Sequence, residues 1–222
     1  MPRIARVIAI GYPHHIVQRG NRRQEVFFKD EDYREYLKFL SEYSGKNKLS
    51  IVAYCLMPNH VHLITIPQNN EGLARAIGET HRNYTRMINF REKWRGYLWQ
   101  GRFSSYVMDE KYLYSVAKYI LNNPVKAKIV KRAEEYEWSS IQHHLGRENI
   151  PYINDAVLQG MIDDWGTYLT EGVKKEDVEI LKRHERTGRP LGDKPFIEKL
   201  ENKLGISLKK KKPGPKMKKR IN

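Results

Sequence analysis

Cysteine is nearly absent from this 222-residue chain, which contains Cys55 and no other. A single cysteine forms no intrachain disulfide and excludes a cysteine-based metal site. The chain also lacks an apolar run near the roughly 20 residues that a membrane-spanning helix needs. Its opening segment, residues 1–6, is too short and too polar for a secretory signal. We therefore predict a cytoplasmic protein without a membrane span.

Acidic residues are too few to balance the basic ones. Lysine and arginine number 41 against 26 aspartates and glutamates, which gives a formal net charge of +15 and a pI of ≈ 9.7. A field of that sign attracts polyanions, and nucleic acid is the leading candidate. An anionic membrane surface is the competing partner.

The hydrophobic pattern alternates between the period of strands and the period of helices. It predicts strands near 12–18, 51–56, 63–66 and 103–108, a helix in each of the two longer gaps, and a further helix after Asp109. The order strand–helix–strand–strand–helix–strand is that of a split βαβ unit. We therefore predict an α+β fold, a ferredoxin-like antiparallel sheet with helices on one face.

The composition divides the chain into three segments. We predict a first domain over residues 1–150, a small helical extension over 151–208 and a basic disordered tail over 209–222. Two short helices around the turn at 188–192 form either a helix-turn-helix reader or a packing appendage. The tail has many lysines and no acidic residue, and such a composition cannot bury enough apolar surface to fold.

Two histidines open the third predicted strand. His60 and His62 follow a turn at 57–59, and alternation along a strand places both imidazoles on one face and Val61 on the other. Two adjacent imidazoles on a rigid strand can hold a divalent cation and leave coordination positions open. The same pattern also fits two partly buried structural histidines.

A tyrosine-rich helix is predicted before Pro124. Tyr112, Tyr119 and Asn123 share one of its faces, because separations of seven and four residues return to nearly the same azimuth. A phenol becomes a useful nucleophile towards phosphate where positive charge stabilises the phenolate. Asn123 offers an oxygen ligand one turn from Tyr119, and Asn122 is the alternative because proline disfavours helical geometry at the preceding residue. Packing or surface exposure is the ordinary role of such a tyrosine.

Basic and polar side chains elsewhere are candidate nucleic-acid contacts. The turn at residues 19–23 (RGNRR) gathers three arginines, and such a turn is either a solvated face or a phosphate contact. The full predicted set is Arg19, Asn21, Arg22, Arg23, Arg82, Gln100, Arg102 and Lys126.

The order of these motifs resembles that of the single-tyrosine HUH transposases. Residues 58–63 (PNHVHL) carry the histidine pair, residues 99–103 (WQGRF) follow, and residues 119–125 (YILNNPV) carry the tyrosine. Within that superfamily the chain looks most like the REP-associated tyrosine transposases. The resemblance covers about residues 8–145 and extends more loosely to 188–192 (GRPLG) and the basic tail.

The resemblance implies a palm domain that binds single-stranded DNA hairpins. His60 and His62 match the HUH pair, and Tyr119 matches the nucleophile. Asn123 matches the polar residue that completes a site for Mg²⁺ or Mn²⁺. The implied activity is DNA transposition by a single-stranded DNA endonuclease and strand-transferase that forms a 5′-phosphotyrosine intermediate. We expect a monomer or a homodimer.

Two alternatives stay open. A transposase derivative that binds hairpin DNA or RNA without cutting would keep the same fold and charge, although no segment resembles the aromatic RNP signature of RNA-recognition modules. A replication-initiating nickase would share the site, with Tyr112 and Tyr119 as a pair, and would require a helicase-sized partner domain.

Removal of residues 209–222 is expected to weaken binding to single-stranded DNA and to flatten its salt dependence. Each phosphate neutralised on a single strand contributes about −0.7 to the slope of log affinity against log salt. Affinities of the full and truncated chains, measured across a salt series, test this. An unchanged slope after truncation would show that the tail does not contact DNA.

Overall fold

The computed structural model describes residues 6–208 and contains one antiparallel sheet with strands in the order β2–β3–β1–β4. The strands are β1 (His14–Arg19), β2 (Leu49–Met57), β3 (His60–Pro67) and β4 (Ser104–Val107). The helices are α1 (Asp30–Lys46), α2 (Gly72–Arg91), α3 (Glu110–Leu121), α4 (Asn123–Lys126), α5 (Ile141–His144), α6 (Ala156–Gln159), α7 (Trp165–Thr170), α8 (Lys175–Thr187) and α9 (Lys194–Leu204). Short 3₁₀ turns lie at Asn21–Arg23 and Ala133–Glu135.

Helices cover both faces of the sheet. The predicted α+β class and antiparallel ferredoxin-like sheet are confirmed, with β1 and β3 at its centre. Ile16, Val61 and Leu63 pack in the layer of α1 and α2, which lie on one face as predicted. Ile64 packs with α3 on the opposite face, so the single helical face does not extend to the third helix. The physical reason is that apolar side chains project from both faces of β3, and both need cover.

The α1–α2 layer fixes the loop that follows the basic turn. Tyr36 and Tyr84 are fully buried there, and the Tyr84 hydroxyl donates to the Val26 carbonyl at 2.6 Å. Phe27 packs on the same two tyrosines, with ring centroids 5.5 and 5.4 Å away. Because buried polar groups are costly unless paired, these bonds specify one position for the segment after Arg23.

The C-terminal helices pack onto this domain. Val178 and Leu181 of α8 are buried in the core that contains α3, and α8 also contacts β1 and β4. Phe196 and Leu200 of α9 pack with Val107 of β4. Both α8 and α9 therefore direct their apolar sides to the sheet domain. The domain boundary at residue 150 and the helix-turn-helix stay predictions.

Two further sequence predictions concern membranes and the tail. Across residues 6–208, no helix combines the length and the apolar character that spanning a bilayer requires. The predicted disordered tail, residues 209–222, lies outside the described residues.

Buried neutral histidines make the fold sensitive to acid. Burial lowers the pKa of His81 to about 3 and that of His14 to about 4, whereas an unfolded chain has values near 6.5. The unfolded state therefore binds more protons than the folded state between these values. The stability that is present above pH 6.5 is lost as the pH falls towards the folded pKa values.

Replacement of His81 by Gln should reduce this acid sensitivity by about 1.4 kcal/mol per pH unit below pH 6. Glutamine can still pair with the Tyr36 hydroxyl, which lies 3.0 Å from His81 Nε2, but it does not titrate. Chemical denaturation at pH 7 and pH 5 gives the free energy of unfolding of both proteins. An equal loss in the two proteins would show that His81 is not held neutral in the fold.

Candidate active site

Strand pairing gathers polar side chains on the sheet face that α3 covers. In the β1–β3 register, Arg19 lies opposite His60 and Val17 lies opposite His62. His15 is two residues before Val17. Because side chains alternate along a strand, His15 and Arg19 project from the same face as the histidine pair. The strand β1 thus adds a histidine and an arginine to the two predicted ligands.

A chain of hydrogen bonds orients the imidazole rings. His62 Nδ1 and His15 Nε2 lie 2.9 Å apart in rings inclined by 14°, and His15 Nδ1 lies 2.9 Å from the Tyr106 hydroxyl. His60 Nδ1 lies 2.6 Å from Asn59 Oδ1, and the His60 and His62 ring centroids are 4.9 Å apart. With Nδ1 engaged in both rings, Nε2 is the nitrogen that His60 and His62 can offer to an ion.

Burial keeps these imidazoles neutral. It lowers the pKa of His15 to about 3, and burial with the nearby Arg19 charge lowers the pKa of His60 to about 3. Burial also places the pKa of His62 well below its usual value, with further lowering from His60, His15 and Arg19. Metal ions bind neutral imidazole, so neither His60 nor His62 would have to release a proton near pH 7 before it bound a metal ion. The donor set therefore fits a divalent cation.

Tyr119 lies on α3 beside the histidines. Asp109 caps this helix as predicted, since its Oδ1 accepts from the Tyr112 backbone N–H at 2.8 Å. The Tyr119 ring centroid is 5.8 Å from that of His62 and 6.4 Å from that of His15, edge-on to both. The helix therefore places the predicted nucleophile and the predicted metal pair on the same face of the sheet.

The surroundings of Tyr119 favour its neutral phenol. Burial raises the pKa of the hydroxyl above its ordinary range, Glu185 raises it further, and Arg19 opposes the rise. Lys126 Nζ lies 5.4 Å from the ring centroid, and burial and the charge of Lys182 lower the pKa of Lys126. Formation of a phenolate at Tyr119 thus depends on added positive charge or on loss of the groups that bury its ring.

Asn122 and Asn123 differ in how their side chains are used. α3 ends at Leu121, and Pro124 lies in the first turn of the new helix α4. Asn122 Nδ2 donates to the Lys118 carbonyl at 3.2 Å. Asn123 is 8% exposed, and its buried Nδ2 has no hydrogen-bond partner among the described residues. The unpaired Asn123 Nδ2 can donate to a phosphate oxygen, whereas a metal ion would bind the Oδ1 atom of either side chain, so Asn122 and Asn123 both stay candidates for the third ligand.

Glu185 of α8 also reaches this face. Its backbone carbonyl accepts from the Ser104 hydroxyl, and its Oε1 is 3.9 Å from His15 Nδ1. Among residues 6–208 this buried Oε1 has no hydrogen-bond partner, and burial raises the pKa of Glu185 to about 7 against the nearby Arg19. His15, His62 and Glu185 offer ligand atoms within 4.8 Å of one another. Since the two imidazoles already bond each other, we assign His15 and Glu185 to the support of the site.

The predicted nucleic-acid contacts divide into three groups. Arg19 projects beside His60, and Lys126 lies over Tyr119, so both belong to the site. The Asn21–Arg23 turn is tied to the Leu98 carbonyl by the Asn21 N–H at 2.8 Å, and Gln100 N–H donates to the Arg19 carbonyl at 2.8 Å. Asn21, Arg22, Arg23, Gln100 and Arg102 therefore lie at the same end of the sheet. Arg82 lies on α2, across the sheet, and pairs with Glu79.

A cleft of about 530 Å³ opens beside Tyr119. It lies between the α3–α4 junction and α8, and its walls include Asn122, Lys126, Val178 and Lys182. The lining combines apolar side chains with three lysines and Glu179. Apolar surface with a surplus of positive charge suits a nucleotide, whose base is apolar on its faces and whose phosphate is anionic.

Comparison with protein families agrees with this geometry. A family model described as IS200-like transposase matches residues 10–123, just over half of the chain. The chain belongs to the IS200-like transposase family. The matched segment of this transposase contains the histidine pair, Arg19, Tyr119 and Asn123, whereas Glu185 lies beyond it.

Two solved structures resemble this IS200-like transposase. A REP-associated tyrosine transposase bound to a REP hairpin shares 18% identity and the same fold, with a TM-score of 0.57 over 69% of this chain and 98% of that one. A transposase candidate from Deinococcus radiodurans R1 shares 23% identity over 55% of this chain and 97% of that one, with a TM-score of 0.39. No curated protein matches the sequence of this chain.

Three residues of the site escaped the sequence prediction. His15 lies in a histidine doublet within β1, and the strand order 4-1-3-2 of a ferredoxin-like sheet would have placed it near His62. Tyr106 follows from the same argument, since it lies opposite His15 in β4. Glu185 gave no signal, because it is one charge among many in a charged helix.

Replacement of His60 or His62 by Ala is expected to weaken Mn²⁺ binding at least about tenfold, because each change removes one ring nitrogen. Titration calorimetry of the folded proteins measures this directly. His81→Gln is the matched control, since His81 is buried on the far side of the sheet. Equal affinity in His62→Ala and in the control would exclude the histidine pair as a metal site.

Proposed function

We propose that this transposase is a metal-dependent single-stranded DNA endonuclease and strand-transferase that acts on hairpin-forming, REP-like DNA through a 5′-phosphotyrosine. The observation that carries the proposal is the position of Tyr119, whose ring centroid lies 5.8 Å from that of His62, within the family fold. Tyr119 also lies edge-on to His15, so its ring is next to two imidazoles of the site.

The reaction exchanges one phosphodiester for another. The Tyr119 oxygen attacks the scissile phosphorus and loses its proton to solvent, while the bond to the 3′ oxygen breaks and that oxygen is protonated. A 3′-hydroxyl that attacks the phosphotyrosine reverses the step, so rejoining needs no external energy. A divalent ion, Mg²⁺ or Mn²⁺, at His60, His62 and Asn123 would polarise the phosphate oxygens.

The chain's own cations would serve the same transition state. Arg19 projects next to His60 and opposes the rise in the pKa of Tyr119 that burial and Glu185 cause, and Lys126 lies over the Tyr119 ring. Positive charge fixed beside a developing phenolate stabilises it most where water is excluded. His15 and Tyr106 would hold His62 in the tautomer that keeps Nε2 free for the ion.

Charge and fold support a DNA hairpin as the substrate. The net charge is +15, and the structural relative noted above was solved with a REP hairpin. The polar cluster at the end of the sheet, Asn21–Arg23 with Gln100 and Arg102, would contact phosphates near the site. We retain the REP-associated subgroup, a monomer or homodimer and a cytoplasmic location as parts of this proposal.

The second candidate function is hairpin binding without cleavage. The observation that favours it is the cover over the nucleophile. Tyr119 is 8% exposed, and α8 places Glu185 against the histidine face. A protein whose α8 stayed in this position with DNA bound would bind a hairpin but would not reach its phosphate.

Tyr119→Phe separates these two functions. The change keeps the ring and removes the hydroxyl, so stability should change little while the covalent protein–DNA adduct disappears. The assay is incubation with hairpin-bearing single-stranded DNA and Mn²⁺ or Mg²⁺, followed by denaturing electrophoresis. Tyr112→Phe and Tyr114→Phe are matched controls that should still form the adduct, since Tyr114 packs on Tyr168 at 4.6 Å between centroids.

Peptide mapping of the wild-type adduct by mass spectrometry identifies the modified residue. A nucleotide on any residue other than Tyr119 would refute the assignment. Hairpin binding without an adduct on any tested substrate would support the binding-only alternative.

A further inference from the structure

Four aromatic rings are exposed at one end of the sheet domain. The solvent-exposed fractions are 87% for Phe90, 86% for Tyr97, 46% for Trp94 and 42% for Phe28. Exposed aromatic side chains that lie close together mark an interaction surface more often than isolated ones do. Phe90 lies in the last turn of α2, and Trp94 and Tyr97 follow the helix within eight consecutive residues. We call the segment 90–97, with these three rings, the aromatic loop.

The aromatic loop has an ordered backbone. Its residues after α2 fold back on the end of that helix. The Trp94 N–H donates to the Asn89 carbonyl at 2.9 Å, and Asn89 Nδ2 donates to the Gly96 carbonyl at 3.0 Å. Phe90 and Tyr97 directly follow this bonded pair, so both rings start from the same end of the helix. The turn requires a φ of 100° at Gly96, a backbone angle that residues with a side chain rarely adopt. The rings are therefore presented to solvent from a fixed frame.

The aromatic loop is fastened to the basic turn. Leu98, the residue after Tyr97, accepts from the Asn21 N–H at 2.8 Å and from Gln24 Nε2 at 3.5 Å. The Arg23 carbonyl in turn accepts from Asn59 Nδ2 at 3.2 Å. Asn59 directly precedes His60. A short chain of hydrogen bonds thus connects the exposed rings, the basic turn and the histidine pair.

The charge around the rings selects the partner. Lys93 and Arg95 are exposed between the aromatic residues, and Arg22 and Arg23 are exposed next to them. Arg91 is already paired with Asp32 and Glu92 and is not counted among these cations. The cores of protein interfaces are depleted of lysine, and a second copy of this basic chain would be repelled. Aromatic rings interleaved with cations instead suit single-stranded nucleic acid, whose bases stack while its phosphates pair with the cations.

We propose that Phe90, Trp94 and Tyr97 form a stacking platform for unpaired bases in a single-stranded segment next to the DNA hairpin. This inference rests on the proposed function and adds the location at which the unpaired strand is held. Paired bases expose their faces only at the end of a duplex, so the platform distinguishes a single-stranded tail from a stem. Stacking tolerates any base, and sequence preference is therefore weak at these positions.

The test compares two hairpins, one with a single-stranded thymidine tail and one without a tail. Tyr119→Phe is used as the parent protein, so that cleavage does not disturb the affinities. Phe90→Ala, Trp94→Ala and Tyr97→Ala should each weaken binding of the tailed hairpin about fivefold or more. Binding of the tailless hairpin should change less than about twofold. Ile129→Ala and Ile206→Ala, which truncate apolar side chains of 45% and 46% exposure, are the controls.

Salt dependence separates stacking from charge. The three aromatic variants should lose affinity without a change in the slope of log affinity against log salt, whereas Arg22→Ala should reduce the slope by about 0.7. Trp94 also provides a direct signal, because a stacked base should quench its fluorescence. That quenching should disappear in Trp94→Phe, and the affinity should remain because phenylalanine still stacks.

Several outcomes would overturn the platform. The platform would be refuted by unchanged affinity of all three variants for the tailed hairpin, or by equal losses of affinity with and without the tail. A change of oligomeric state in the variants would also refute it, because it would identify a second copy of the chain as the occupant. A wild-type chain that forms the Tyr119 adduct while the variants bind normally would refute the platform and leave the proposed function intact. Selective loss of tail binding without any adduct would refute cleavage and leave the platform intact. A wild-type chain that binds neither hairpin would refute both.

Discussion

The pairing of β1 with β3 at the centre of the sheet is the interaction on which the site depends. A shift of one residue would turn His15 and Arg19 towards α1 and α2 and expose Ile16 to the histidine face. The register is fixed where the strands meet the basic turn, since the Gly20 N–H donates to the Asn59 carbonyl at 2.8 Å. A Cβ on Gly20 would lie 2.2 Å from the Gln24 carbonyl oxygen, so glycine is required for this close approach. One glycine thereby holds both the turn and the alignment of the histidines.

Burial gives the site the protonation states that a ligand would use. The histidines are neutral, and the phenol of Tyr119 is kept protonated. A cation bound by the histidines would favour the phenolate, and a phosphate would balance the charge of Arg19. The site therefore has paired histidines, the proposed nucleophile and a fixed arginine, and a bound cation and a phosphate would supply the remaining charges. Under the proposed function, this division would let deep burial and chemistry coexist on one sheet face.

Sequence reasoning succeeded where the information is local. The period of the hydrophobic pattern predicted four strands and the helices α1, α2 and α3, the same-face spacing predicted the contact of His60 with His62, and Asp109 was found as a cap. Residues joined by strand order or distant packing could not be predicted in this way. His15 meets His62 through a pairing of strands 47 residues apart, and Glu185 reaches His15 from a helix with no motif of its own. The placement of Arg82 could not be predicted for the same reason, because its charge says nothing about which face of the sheet α2 covers, and its contact with nucleic acid stays a prediction.

Under the proposed function, the covering helix α8 would control how a phosphate reaches Tyr119. Glu185 and the hydrogen bond that Ser104 donates to its carbonyl close the β1–β4 side of the histidine face. The Tyr119 ring, in contrast, lines the cleft between the α3–α4 junction and α8. Lys126 and Lys182 line that cleft, and burial together with the charge of Lys182 lowers the pKa of Lys126, while Glu179, which pairs with Lys182 at 2.9 Å, opposes the shift. A phosphate between the two lysines would relieve the repulsion between them, and the same charges would then stabilise the phenolate beside them. Under the proposed function, entry of the strand and activation of Tyr119 would both follow from one arrangement of charge.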